Sequence, residues 1–405
     1  MKQKIAVVAL TGILAAGPAF ASGYRIPEQS INSTALSAAY VANTPAADAS
    51  YYNPANMSWL ENKWQTEASL TWIHLASIEY TDKVTSSFNS GSRTEDFALP
   101  NLHIVSPEFN NFRFGLSVVY PYGLSKRWDN TLPKASAEEF TLKTYEFNPT
   151  ISYKLNEKIS LGGGLRAIYA EGVVKSTAGA SRDLKGDTTE YGYNLAATYR
   201  PVENLSLAAT YRSKIDLDIE GDARLYLGAA QLYNGYAEVS VPAPAVLSLA
   251  TSYTCNNGKT TAELTYDKTF WNAYDKLDFN YGPALTNAVL ISVFDNPKAK
   301  NWVNSEAYRI GLTHKLNTQW TVMAGFAIDK NPVPDQTLGF ELPDSDAKIY
   351  SCGLRYQPTD NLTVGAAYLF DDKESRSVPT NANGVNGTFD NSAAHLFTAG
   401  LQYRF

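Results

Sequence analysis

From Leu205 the chain alternates for sixteen residues: Leu205, Leu207, Ala209, Tyr211, Ser213, Ile215, Leu217 and Ile219 share one face, while Ser206, Ala208, Thr210, Arg212, Lys214, Asp216, Asp218 and Glu220 share the other. Period-two alternation is the signature of a strand with two unlike faces. Soluble sandwich strands usually run roughly 3–10 residues, so a run this long points elsewhere. One face suits lipid and the other water. The same dyad returns at Ile159, Leu161, Leu165, Ala167 and Tyr169, at Trp320, Val322, Ala324, Phe326 and Ile328, and at Leu362, Val364, Ala366, Tyr368 and Phe370. Beyond the leader no run approaches the ~18 apolar residues of a spanning helix, and mean hydropathy is −0.26, so a membrane would have to be crossed by strands.

The first residues give the address. Lys2 and Lys4, the apolar run Ile5 to Ala16 and the small-x-small site Ala19-Phe20-Ala21 predict a signal peptide over residues 1–21, cleaved before Ser22. Its apolar run is too short for an anchor. The formal charge is −6 for the whole chain and −8 once Lys2 and Lys4 are removed, which argues against a nucleic-acid partner. Cys255 and Cys352 are too few for a disulfide framework and are expected to be unpaired; no cofactor or metal site is expected.

Connections come in two kinds. Tight turns are predicted at Pro107 to Asn111, Asn156 to Lys158, Pro201 to Asn204, Asn256 to Lys259, Asn317 to Gln319 and Pro358 to Asn361. Longer loops alternate with them near 79–96, 126–143, 176–187, 221–236, 273–304, 331–346 and 377–392. Short periplasmic turns and long extracellular loops characterise outer-membrane barrels, and six turns with seven loops require fourteen strands. The expected fold is therefore all-β: a 14-stranded antiparallel transmembrane β-barrel over residues 63–405, its first strand at Trp64 to Ile78. Phe397, Ala399, Leu401, Tyr403 and Phe405 share a face of the last strand, whose aromatic terminus resembles the signal read by outer-membrane assembly machinery. The 26 tyrosines are what two interfacial girdles would use.

A barrel of this size holds a narrow channel or a plug. Residues 22–62 contain the small, helix-compatible run Ser33 to Tyr40, the breakers Thr44-Pro45 and Asn53-Pro54, and few charges. They are expected to form an N-terminal hatch that plugs the lumen, with Asn53, Pro54 and Ala55 at its foot.

Here a resemblance enters. Gly23-Tyr24-Arg25-Ile26-Pro27-Glu28, Ala35-Leu36-Ser37-Ala38-Ala39-Tyr40, Asp48-Ala49-Ser50 and Asn53-Pro54-Ala55 resemble the hatch of the FadL family of outer-membrane long-chain fatty acid and hydrocarbon transporters. Thr210-Tyr211-Arg212-Ser213, Ala307-Tyr308-Arg309-Ile310-Gly311 and Asp329 to Pro334 extend the likeness in order along the chain. The resemblance implies capture of an apolar cargo by extracellular loops, an internal site gated by the hatch, and lateral release through a gap at the third strand. Pro121, Tyr122 and Gly123 match the segment where family members kink that strand. Pro100 and Pro149, in the second and fourth strands, also remove ladder donors, as a kink or as tolerated bulges.

Apolar runs in two loops, with Leu225, Leu227 and Leu232 in one and Leu290, Ile291 and Phe294 in the other, are candidates for a capture groove or for short amphipathic helices. Arg212, Lys214 and Arg309 are read as projecting into the lumen and, with Lys175, are the candidate cations for a carboxylate headgroup. Family members that bind fatty acids carry a lysine just before the Ala-Tyr-Arg motif, where this chain has Ser305-Glu306, which leaves neutral hydrocarbons open. Expected partners are the apolar cargo, outer-membrane lipid and lipopolysaccharide, with the protein a monomer. The four histidines are scattered and no Gly-x-Ser-x-Gly motif accompanies them, so no catalytic residue is expected. The rival reading is a general porin for small polar solutes, against which the plug argues.

Overall fold

A computed structural model describes residues 23–405; the expected signal peptide lies outside the described residues. Fourteen antiparallel strands close on themselves: β1 (Gln65–Leu75), β2 (Glu95–Val105), β3 (Phe112–Val119 and Gly123–Arg127), β4 (Glu139–Lys154), β5 (Ile159–Ser176), β6 (Ala180–Val202), β7 (Leu205–Arg212 and Ile215–Leu227), β8 (Ala230–Ala243 and Val246–Cys255), β9 (Thr260–Thr269 and Phe279–Gly282), β10 (Ser305–Lys315), β11 (Trp320–Asp329), β12 (Ala347–Tyr356), β13 (Leu362–Lys373) and β14 (Ala393–Arg404). β14 pairs with β1 from Gln65↔Arg404 to Leu75↔Ala394, which closes the ring of strands. Trp64 and Phe405 exchange both backbone hydrogen bonds at 3.0 Å and stack their rings, which ties the two ends of the wall together. All six tight turns fall between consecutive strands where the turn residues place them. Cys255 and Cys352 are exposed and unpaired.

Three expectations need correction. The first strand starts at Gln65 and ends at Leu75, short of Ile78. Residues 176–187 and 221–236 are mostly not loops: β5 runs on into β6, and β7 into β8, as ladders that extend to Leu227↔Ala230. The third correction concerns the alternation itself. Up to Arg212 the even residues of β7 face inward, but Ile215, Leu217 and Ile219 are buried and Asp216, Asp218 and Glu220 exposed. Strand β7 breaks at Ser213-Lys214, where Ser213 Oγ accepts from Tyr193 N–H at 3.0 Å and Ser213 N–H donates to Tyr193 O at 2.9 Å. This irregularity inverts the phase. Below it the wall is apolar outside and polar within; above it the wall is polar outside and apolar within. The upper half therefore stands in water with its own apolar core.

Residues 24–60 are almost entirely buried inside the ring of strands. Helix α1 (Ile31–Ala35) starts at a reciprocal cap in which Ser30 and Ser33 satisfy each other's backbone, and takes in only Ser33 to Ala35 of the helix-compatible Ser33–Tyr40 run. Asn53 accepts from Ala55 N–H at 3.1 Å, Pro54 opens a 3₁₀ turn, and Asn53 Nδ2 reaches Val41 O and the wall residue Thr198. The Asn-Pro-Ala stretch is a turn bolted to β6, and Ser160 of β5 donates to Ala55 O at 2.8 Å.

The segment's backbone lies directly on the wall. A Cβ at Gly325 would stand 2.2 Å from the carbonyl carbon of Leu36. We expect Gly325→Val to destabilise the protein by about 1–3 kcal/mol through overpacking. An unchanged thermal midpoint would show that residues 31–38 do not rest there.

Candidate functional site

The wall is open between β2 and β3. Their ladder runs only from Leu102↔Val118 to Val105↔Gly115, and the strands meet again at the Ser92↔Trp128 bridge. Between these points residues 95–101 of β2 pair with β1 alone. Opposite them, β3 is interrupted at Tyr120, Pro121 and Tyr122. Pro121 thus falls between two strand segments, not within one. Pro100 pairs with Leu70 on its other side, and Pro149 lies where the β4–β5 ladder skips two rungs between Phe147↔Ala167 and Thr150↔Gly164.

Buried backbone groups must find partners, so the interrupted stretch poses a definite question. The N-terminal segment answers most of it. Gln29 brackets Tyr120, its Oε1 accepting from Tyr120 N–H at 2.8 Å and its Nε2 donating to Tyr120 O at 3.0 Å. Ile26 N–H donates to Pro121 O at 2.8 Å, and Gly123 N–H donates to Tyr24 O at 3.0 Å. Thr144 of β4 handles Tyr122, its hydroxyl accepting from the N–H and donating to the C=O. Neither Gln29 nor Thr144 stood out in the sequence, because a single amide or hydroxyl carries no periodic signal.

Behind the gap lies a cavity of about 570 Å³, lined by Phe97, Ala98, Leu99, Tyr120, Leu142 and Leu396 among others, with Arg25, Glu28, Asp371 and Lys373 at its inner side. Tyr24, Leu124 and Leu142 also line a narrow apolar slot that rises toward the loops between Val174, Leu184, Ile219, Val239 and Phe279. At its foot Tyr24 packs edge-on against Trp271, which in turn packs on Trp302 with ring centroids 5.0 Å apart. The inverted phase of β7 supplies this lining, since Ile219 would otherwise face water.

The candidate cations are largely committed. Arg212 and Arg166 share the buried carboxylate of Glu146. Arg309 binds Asp267 at 3.2 Å and Asp329 at 2.7 Å, and donates to Ser37 O at 3.0 Å. Arg212 likewise reaches Tyr51 O at 3.3 Å. Both point inward, but toward the N-terminal segment. Lys214 and Lys175 are not lumen cations: the phase inversion turns Lys214 outward beside Asp216, and Lys175 lies on the outer face of β5 beside Glu139.

The candidate capture residues divide as well. Leu225, Leu290 and Phe294 are buried in the upper core, whereas Leu227, Leu232 and Ile291 are exposed near the loop end. Ala288–Phe294 forms a short helix packed on β6 and β7. At the slot's mouth Lys300 is paired with Glu341. Burial works to raise the Glu341 carboxyl, but the Lys300 ammonium outweighs it and holds the group below the ordinary carboxylate value.

Comparison with known proteins fits this geometry. Residues 12–405 match the family model described as outer membrane protein transport protein (OMPP1/FadL/TodX). The chain is 25% identical to the long-chain fatty acid transport protein of Escherichia coli K12, covering 96% of this chain and 95% of that one. It is 22% identical to outer membrane protein P1 of Haemophilus influenzae strain Rd, with 98% of each covered. Among solved structures, a Pseudomonas aeruginosa FadL homologue superposes with a TM-score of 0.82 at 21% identity, covering 95% of this chain and all of that one. The Pseudomonas putida toluene transporter TodX does so with 0.73 at 16% identity, covering 93% and 98%.

Proposed function

Because the chain belongs to the OMPP1/FadL/TodX family of outer-membrane transport proteins, we propose that it takes up hydrophobic molecules, long-chain fatty acids foremost, and releases them sideways into the bilayer. The observation that carries this reading is the gap between β2 and β3, whose unpaired edge is completed by Tyr24, Ile26 and Gln29 of the N-terminal segment. In this reading that segment is a hatch. Withdrawing it would orphan Tyr120 and Pro121 at about 1–3 kcal/mol for each buried group left unpaired, so hatch position and the state of the gap are coupled.

The energetics of the cargo favour such a path. Each buried methylene is worth about 0.8 kcal/mol, so a sixteen-carbon chain resists leaving an apolar surface for water by roughly 12 kcal/mol. A route from exposed Leu227, Leu232 and Ile291, through the slot, to the 570 Å³ cavity and out through the wall keeps the tail away from water throughout. The protein is proposed to act as a monomer set among outer-membrane lipid and lipopolysaccharide.

The test is uptake of radiolabelled palmitate by cells lacking other long-chain importers, alongside mass spectrometry of apolar compounds that co-purify with the protein. Expression is expected to restore uptake, and the purified barrel to retain acyl compounds. Absence of both, together with a steady nanosiemens conductance in planar bilayers, would establish a porin for polar solutes instead.

A further inference from the structure

We propose that His74 and His395 form a binding site for a divalent transition-metal ion, zinc or copper, on the outer face of the wall where the last strand closes on the first. The inference goes beyond uptake and stands on the closed barrel alone.

The two histidines lie at opposite ends of the chain. Closure of the ring makes His74 of β1 and His395 of β14 direct cross-strand partners, with ring centroids 6.1 Å apart. Ile73, Ala394 and Leu396 beside them are buried, while Trp72 and Phe397, on the histidines' own face, are exposed, so both imidazoles point outward. The pair stands at the upper rim of that aromatic band, within reach of extracellular water. Side chains directly opposite on antiparallel strands have Cβ atoms roughly 4.5–5.5 Å apart, a span that one ion held by two imidazoles can bridge.

How each ring is held separates this pair from two ordinary girdle residues. His74 Nδ1 lies 2.9 Å from Asp96 Oδ1 of β2, and a carboxylate only accepts, so Nδ1 carries the proton and Nε2 of the neutral ring the lone pair. His395 Nδ1 lies 2.8 Å from the Tyr368 hydroxyl of β13, which can accept in the same way. Neither Nε2 has a hydrogen-bond partner among the described residues. Phe370 stacks on His395 at 5.0 Å and Trp72 packs beside His74 at 5.8 Å, which restrains both rings. Histidines that ligate a metal through one nitrogen donate the other N–H to a carboxylate or similar acceptor, the arrangement found here twice. Imidazole nitrogen suits zinc and copper. Among the described residues no group of three or more His, Cys, Asp and Glu side chains is placed to hold an ion, so the site is a two-imidazole clamp completed by water.

The other two histidines are engaged elsewhere. His103 is buried, with Nδ1 on Ser117 and Nε2 on Gln29 O, and His314 bonds Thr260 near the periplasmic turns. An ion between His74 and His395 staples β14 to β1 across the closure, one strand away from the gap, whose β2 edge carries Asp96. It binds the closed ring and not the separated ends, so it stabilises the barrel by mass action.

Zinc binding is measured by titration calorimetry on the full-length protein, purified without a polyhistidine tag and stripped of metal with a chelator. One ion per chain is expected. His74→Ala and His395→Ala should each weaken it by about tenfold or more, and Asp96→Ala by about tenfold, as loss of the outer partner of a ligating histidine implies. His314→Ala should change nothing. Zinc should also raise the temperature at which the heat-modifiable barrel unfolds, an effect absent in His74→Ala. Copper(II) in place of zinc should show two nitrogen ligands by electron paramagnetic resonance, and one in either histidine variant. No zinc binding, wild-type affinity in any of the three weakened variants, or loss of binding in His314→Ala would overturn the site. Should a variant fail to assemble, the copper spectrum of the wild-type protein decides alone, and fewer than two nitrogen ligands would refute the clamp.

Discussion

Deleting Pro121 is expected to cut fatty acid uptake by about tenfold or more while leaving a folded barrel in the outer membrane. Between Val119↔Glu146 and Gly123↔Lys143, β3 spends Tyr120, Pro121 and Tyr122 opposite only Thr144 and Tyr145 of β4. One residue is in excess, and the strand buckles inward to hold it. Removing that residue lets β3 pair with β4 without a break and brings its other edge toward residues 95–101. Each new ladder bond contributes on the order of 1 kcal/mol net, enough in sum to hold the gap shut. Pro121→Ala, by contrast, keeps the extra residue and should reduce uptake far less. The pair of variants separates the cause, an added residue, from the proline that marks it. Uptake by the deletion variant equal to wild type, with the protein correctly assembled, would mean that cargo leaves by another door.

The strand count, the six turns and the closing C-terminal strand were legible because each rests on a local rule: period-two alternation, Asn, Pro and Asp at tight corners, and a matched pair of ends. What was not legible followed from a single assumption, that the apolar face of every strand faces outward along its whole length. That holds only inside the bilayer. Above it water lies outside, and apolar residues belong within, so Ile215, Leu217 and Ile219 line the interior while Lys214, Asp216 and Asp218 face solvent. Ser213-Lys214 gives no warning, since both residues continue the written pattern. The same assumption made the upper hairpins of β5–β6 and β7–β8 look like loops and put Lys214 in the lumen. Arg212 and Arg309 were placed correctly, but their counter-charges, Glu146 on β4 and Asp267 on β9, are remote in sequence and reach them only by barrel closure. His74 and His395 escaped notice for the same reason: they are remote in sequence, and only the closing of β14 on β1 sets them side by side.

One wall carboxylate holds three consecutive backbone groups of the N-terminal segment, and removing it should have the second largest effect. Glu263 of β9 accepts from three consecutive backbone N–H groups: Val41 at 2.5 Å, Ala42 at 2.7 Å and Asn43 at 2.9 Å. Three aligned donors form a small anion-binding nest. The stretch they belong to, 41–43, lies between α1 and the Asn-Pro-Ala turn, so it joins the two halves of the segment. In Glu263→Ala the three donors lose their acceptor at about 1–3 kcal/mol each, and the only relief is for water to enter or for the segment to swing away. The variant is therefore expected to show a steady ion conductance in planar bilayers and protease cleavage within residues 23–60, with β1 to β14 still closed. Glu263→Gln keeps one acceptor oxygen and should fall between the two. Wild-type conductance and protease resistance in Glu263→Ala would show that the segment is not held as a hatch, and the coupling between its position and the gap at β3 would have to be abandoned with it.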